Sequence, residues 1–193
     1  RYALPDVTGA FLVTLGMILC FEYIGKKQKS YLLGAAFAMG LAVSTKYNTA
    51  MAFIPLISIP FLSGDQTDRK LIPSLLVMIL AGFVIGSPGW LLAPHEFIRG
   101  YLYEARHVTV GHLGGHDIDW LWVLILIWRC ETYMLVVIFL TVAYAFYKHK
   151  KEDIVFLLLI VPSFIYIGQV EKKSIHYFLF LYPVLALFMG KTV

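Results

Sequence analysis

Ser44-Thr45-Lys46, followed by Tyr47-Asn48, interrupts a largely apolar stretch from Tyr31 to Leu62. An ammonium held below a membrane surface is costly unless it meets an anion or water. Flanking hydroxyls, with backbone N–H groups where the next helix starts, suit a shared anionic ligand. A lipid-linked phosphate carries its charge at that depth. The plainer alternative is a lysine whose stem snorkels to the interface. Asp6, in Arg1-Tyr2-Ala3-Leu4-Pro5-Asp6, stands directly before another apolar run. It reads either as a helix N-cap or as a carboxylate at the membrane face, placed to hold a sugar hydroxyl, a cation or the partner of a base.

Two further groups carry side chains able to do chemistry. His107, His112 and His116 precede Asp117 and Asp119. His112 and His116 would share one helix face and suit a divalent metal, but Gly111, Gly114 and Gly115 work against a helix there. A substrate-covering loop carrying His107, His112 and His116 is therefore the leading reading, with the metal left open. Glu171-Lys172-Lys173-Ser174-Ile175-His176-Tyr177 reads either as an interfacial anchor or as a place where Lys172 or Lys173 and His176 meet a phosphate head group. Arg129 and Glu131, around Cys130, belong to a polar rim.

The elements that must position these groups are membrane helices. The 193 residues are 60% hydrophobic and 15% charged, against about 45–50% and about 25% in a typical soluble domain. Mean hydropathy is +0.77. An ordinary soluble globule, a disordered tail and a coiled coil are excluded. The pI near 9.0 does not indicate nucleic acid, because the lysines and arginines cluster in short loops between apolar runs, as cytoplasmic loops do. Cys20 and Cys130 fall near opposite ends of their spans, which disfavours a disulfide.

The apolar runs predict an all-α, multi-pass bundle of about seven spans, a single transmembrane domain over 1–193, with a long extracytoplasmic segment at 93–120. The topology turns on Tyr31–Leu62. As one helix its 32 residues would rise roughly 48 Å, too long for a hydrocarbon core of about 30 Å. Two helices, with the Ser44–Lys46 turn below the surface, fit better. Loops 25–30, 63–70, 148–153 and tail 191–193 then share one side and hold nine of the 16 Lys and Arg residues. Their density marks that side as cytoplasmic. Arg1, Asp6, Lys46, the histidine-rich segment and Glu171–His176 face the other side.

Taken in order, these segments resemble the membrane glycosyltransferases of the C-type fold, in the branch of the protein O-mannosyltransferases and the lipid A aminoarabinose transferases. Gly40-Leu41-Ala42-Val43-Ser44-Thr45-Lys46-Tyr47 is similar to that branch's Gly-Leu-Ala-x-x-Thr-Lys-Tyr segment. Arg1-Tyr2-Ala3-Leu4-Pro5-Asp6 resembles its Arg-x-Ala-x-x-Asp opening, and Lys173-Ser174-Ile175-His176-Tyr177 with Leu181-Tyr182-Pro183 resembles its late Lys/Arg-x-x-x-Tyr segment.

The resemblance implies inverting transfer of a sugar from a polyprenyl- or dolichyl-phosphate carrier to a protein, lipid or glycan acceptor outside the cytoplasm. It implies that Lys46, with Thr45, Lys173, His176 and Arg1, holds the donor phosphate, and that Asp6 is an acidic position near the reaction. The family's general base, an aspartate in a large first loop, has no counterpart here. The chain then looks like a piece lacking the N-terminal spans and first loop, with Asp6 the one carboxylate to promote. The expected place is the cytoplasmic (inner) membrane, or the endoplasmic reticulum in a eukaryote. A transporter or flippase, and a non-catalytic lipid-binding scaffold subunit, are the competing readings.

Overall fold

The computed structural model of the chain describes residues 3–110, 124–125, 127–129, 132–169 and 177–192. Among them every regular element is helical. Helix α1 spans Ala3–Lys26, α2 Lys29–Thr45, and a 3-10 segment, Tyr47–Ala52, leads into α3, Phe53–Leu62. Then come α4, Gln66–Arg69, α5, Ile72–Gly86, α6, Gly89–Leu92, and α7, Pro94–Val110. Helices α8, Thr132–Lys148, α9, Lys151–Gln169, and α10, Tyr182–Thr192, complete the order.

Among the described residues, three helical stretches are long and apolar enough to cross a membrane: Pro5–Lys26, Gln66–Gly86 and Lys151–Gln169. Tyr47–Leu62 and Leu135–Lys148 are shorter apolar helices.

The helices gather their ends in two places. At one end Lys27 pairs with Asp68 at 4.0 Å, and Lys151 Nζ donates to the Ser63 carbonyl at 3.2 Å. Ile24, Lys27, Ile59, Leu62, Ser63, Lys151 and Val155 line one crevice there. Loops 25–30, 63–70 and 148–153 therefore lie together, and the chain reverses between α2 and α3. Helix α2 ends at Thr45, as the length argument expects.

The reversal has a local cause. The Ser44 and Thr45 hydroxyls donate to the Leu41 and Ala42 carbonyls, each at 2.7 Å, an alternative to continuing the helix ladder. Lys46 is extended, with φ −158° and ψ 120°. Its carbonyl accepts from the Thr49 N–H at 3.1 Å and the Thr49 hydroxyl at 2.7 Å. Freed backbone groups thus find partners, as they must in an apolar surrounding.

Packing of α2 against α5 is made backbone to backbone. A methyl group added at Gly82 would run into the Phe37 carbonyl and the Leu41 N–H, and one at Gly40 into the Ile79 carbonyl. Gly86 faces the Ser44 side chain in the same way. Gly40 with Gly82, and Ser44 with Gly86, make the two helices parallel and close, the small-residue contact that lets membrane helices gain dispersion energy. On its other side α2 runs antiparallel to α1: Gly9 meets Thr45, Gly16 meets Met39 and Gly34 meets Leu19. Val13, Met17, Cys20, Leu32, Ala35 and Met39 are buried in this seam.

Two sequence expectations need correcting. Helix α1 begins at Ala3, so Asp6 is in its first turn and is not an N-cap. Ser87, with φ −135° and ψ 65°, ends α5 before Pro88, and α6 follows as a separate helix. Within the segment 93–120, residues Pro94–Val110 form a helix, so the backbone of His107 is helical where a loop carrying it was expected; apolar residues recur there at helical spacing.

Candidate functional site

Asp6 and Lys46 meet at the second end of the bundle. Lys46 Nζ donates to Asp6 Oδ1 in an ion pair whose side chains are 23% and 13% exposed. The first turn of α1 supplies the carboxylate, and the break after α2 supplies the ammonium. Both termini favour this: an acid is stabilised at a helix N-terminus and a cation at a C-terminus. Lys46 Nζ also lies 5.1 Å from the centre of the Tyr177 ring, within cation–π range.

Asn48 ties the 3-10 segment to the last described segment, its amide donating to the Tyr177 carbonyl at 3.2 Å. Asn48 is only 8% exposed, and its side-chain carbonyl has no hydrogen-bond partner. A buried acceptor left unpaired costs about 1–3 kcal/mol, so this oxygen is primed to take a donor. The Thr45 hydroxyl, by contrast, has its proton committed to the Ala42 carbonyl and its oxygen set against Gly9. In this arrangement it has no proton to offer a phosphate.

Helix α7 crosses the same end. Its Phe97 stacks edge-on with Phe83 of α5, centroids 6.2 Å apart. One turn on, Tyr101 meets Tyr47 edge-on at 5.0 Å. Glu104 reaches within electrostatic range of both Tyr47 and Tyr177, the neighbours of Lys46.

Of the residues singled out from sequence, the structure brings Asp6, Lys46 and Thr45 together. The backbone of His107 belongs to α7, while its side chain lies outside the described residues. Arg1, His112, His116, Lys173 and His176 also lie outside them. Among the described residues no group of three His, Cys, Asp or Glu side chains could hold a metal. Cys20 is buried and free.

Asn48 and Tyr177 stand in segments singled out from sequence but were given no role of their own, and Tyr101 was not singled out. Asn48 had a signal, as an amide two residues from the lysine in an apolar stretch. Tyr101 had one in its helical spacing from Phe97 and Ala105.

The chain matches no family model, and comparison with curated proteins and with solved structures finds no match either.

Proposed function

We propose that this chain is the membrane part of a transferase that takes a sugar from a polyprenyl- or dolichyl-phosphate carrier, on the extracytoplasmic side of a seven-span bundle. The observation that carries the reading is the Asp6–Lys46 pair at the helix break. A lysine set at that break needs an anion. Asp6 is one, and it occupies the place a carrier phosphate would take. Exchange of carboxylate for phosphate on Lys46 is an anion swap with little net change in charge.

In the transfer, the acceptor hydroxyl oxygen forms a bond to the anomeric carbon from the face opposite the phosphate. The bond from that carbon to the phosphate oxygen breaks, and the carrier phosphate leaves with the electron pair. Lys46 stabilises the charge that grows on the leaving oxygen. Asp6, released from Lys46, accepts the hydroxyl proton. Sequence supports the reading through the Gly40–Tyr47 segment and its likeness to the C-type glycosyltransferases.

The test is binding of polyprenyl phosphate to the purified chain in detergent. Lys46→Ala should weaken it by about tenfold or more, since a charge-assisted contact is worth about 1.5–3 kcal/mol, with the thermal transition of the variant checked alongside. Equal binding by both forms removes Lys46 from the site. Binding by neither favours a transporter instead. Tight, Lys46-dependent binding without transfer activity, even with acceptor supplied, leaves a lipid-binding scaffold.

A further inference from the structure

Helix α7 carries charge and aliphatic surface on different faces, and the bundle covers only part of the aliphatic one. Phe97, Ile98, Tyr101, Leu102 and Ala105 recur at the spacing of a single helix face. Phe97 and Tyr101 rest on Phe83 and Tyr47. Ile98 and Leu102, on the outer flank, are 56% and 59% exposed. Glu96 and Arg99 occupy the opposite face, exposed.

Large apolar side chains are exposed on α5 and α6 as well. On α5, Val77, Leu80 and Ile85 are 64%, 58% and 64% exposed, and Leu91 and Leu92 of α6 follow at 60% and 83%. Exposed aliphatic side chains on a stretch long enough to cross a membrane and on the outer flank of an amphipathic helix have a ready occupant in lipid. We infer that α7 lies in the headgroup–acyl boundary of the bilayer, with Ile98 and Leu102 in the upper acyl chains and Glu96 and Arg99 in water.

The path of α7 supports this orientation. Between Phe97 and Glu104 it passes from α5 to the surroundings of Tyr47 and Tyr177, all at the end where Asp6 meets Lys46. The seven steps from Phe97 to Glu104 rise about 10 Å, so the helix travels across the end of the bundle rather than down its side. An interfacial helix sits about 5–10 Å into the boundary. Its Tyr101 touches Tyr47, the residue after Lys46, so a helix in that boundary holds this end of the bundle at headgroup depth. The inference rests on the membrane placement of the chain but not on sugar transfer.

Single-cysteine variants in a Cys130→Ser background, with Cys20 left buried, test it. A fluorophore is attached in turn at Ile98→Cys, Leu102→Cys, Glu96→Cys, Arg99→Cys and, as the membrane reference, Leu80→Cys. The full chain is reconstituted in phosphatidylcholine vesicles carrying nitroxide lipids of known depth, with aqueous iodide as the second quencher. Labels at 98 and 102 should be quenched several-fold more by shallow nitroxides than labels at 96 and 99, which iodide should quench. The label at 80 should respond to the deep nitroxide. Iodide access at 98 and 102 equal to that at 96 and 99, with 80 still protected by lipid, overturns the interfacial placement alone. Quenching of 98 and 102 by the deep nitroxide overturns it in the other direction, as a buried helix. Loss of lipid quenching at 80 overturns the membrane reading as well.

Discussion

Asp6 and Lys46 stand forty residues apart in the chain and close an ion pair at one end of the α1–α2 hairpin. The pair exists because two helix termini come level: α1 starts where α2 stops. Removing one partner strands the other in a mostly buried position. Asp6→Asn and Lys46→Met should each lower thermal stability, and the double variant should lose less than the sum. A double-mutant cycle should return a coupling of about 1–2 kcal/mol, and a value near zero would mean that water already screens the pair.

The same pair predicts competition. With Asp6→Asn, Lys46 keeps its charge but loses its internal anion, so polyprenyl phosphate should bind more tightly than to the wild type. The measurement is a titration at two ionic strengths, since screening weakens an exposed contact more than a sheltered one. Weaker binding by Asp6→Asn would show that the carboxylate shapes the site rather than occupying it.

Gly82 and Gly100 separate packing from helix propensity. Gly82→Ala places a methyl against the α2 backbone and should cost about 1–3 kcal/mol as overpacking. At Gly100, in α7, an added methyl meets nothing within 4 Å. Gly100→Ala should therefore stabilise the chain by about 0.5–1 kcal/mol. Denaturant or thermal unfolding of the two variants side by side decides it.

Two turns at the other end make an opposite pair. Gly64 has φ +78°, and His149 has φ +54° with an ordinary side chain. Gly64→Ala should destabilise, and His149→Gly should stabilise by up to about 1 kcal/mol, because only glycine enters this region without steric cost.

Asp65 gives a pH dependence. Its carboxylate accepts from the Thr67 N–H at 2.8 Å, which holds its pKa below the ordinary carboxylate value, with Thr67 hydroxyl, Lys27 and Lys29 adding to the shift. A pKa lower in the folded state means stability that is present above the unfolded value and lost as pH falls through the folded one. Tm followed from neutral to acid pH should fall less steeply in Asp65→Asn than in the wild type. Equal slopes would remove Asp65 from the acid response.

Parts of this arrangement were legible in the residues and parts were not. The break at Ser44–Lys46 follows from length alone, since 32 apolar-rich residues overrun a bilayer, and it carries Lys46 to the end that Asp6 also reaches. The α2–α5 seam left a visible trace in Gly82 and Gly86, spaced as GxxxG, but hydropathy weighs apolar character and is blind to small size. Helix α7 escaped for the converse reason. Its charged residues break every apolar run, although Phe97, Tyr101 and Ala105 keep a helical period. The ion pair itself is a tertiary event, set by where two helices stop, and no local pattern around Asp6 announces Lys46.

The glycine seam also has a mechanical consequence. A seat made of main-chain atoms has no rotamers to readjust, so α2 and α5 behave as one stiff post with Lys46 at its tip. Helix α1 leans on that post partly through Gly16 and the pliable Met39 side chain, a cushion that adapts at little cost. The Asp6–Lys46 pair therefore joins a firmly seated lysine to a carboxylate on the more yielding helix.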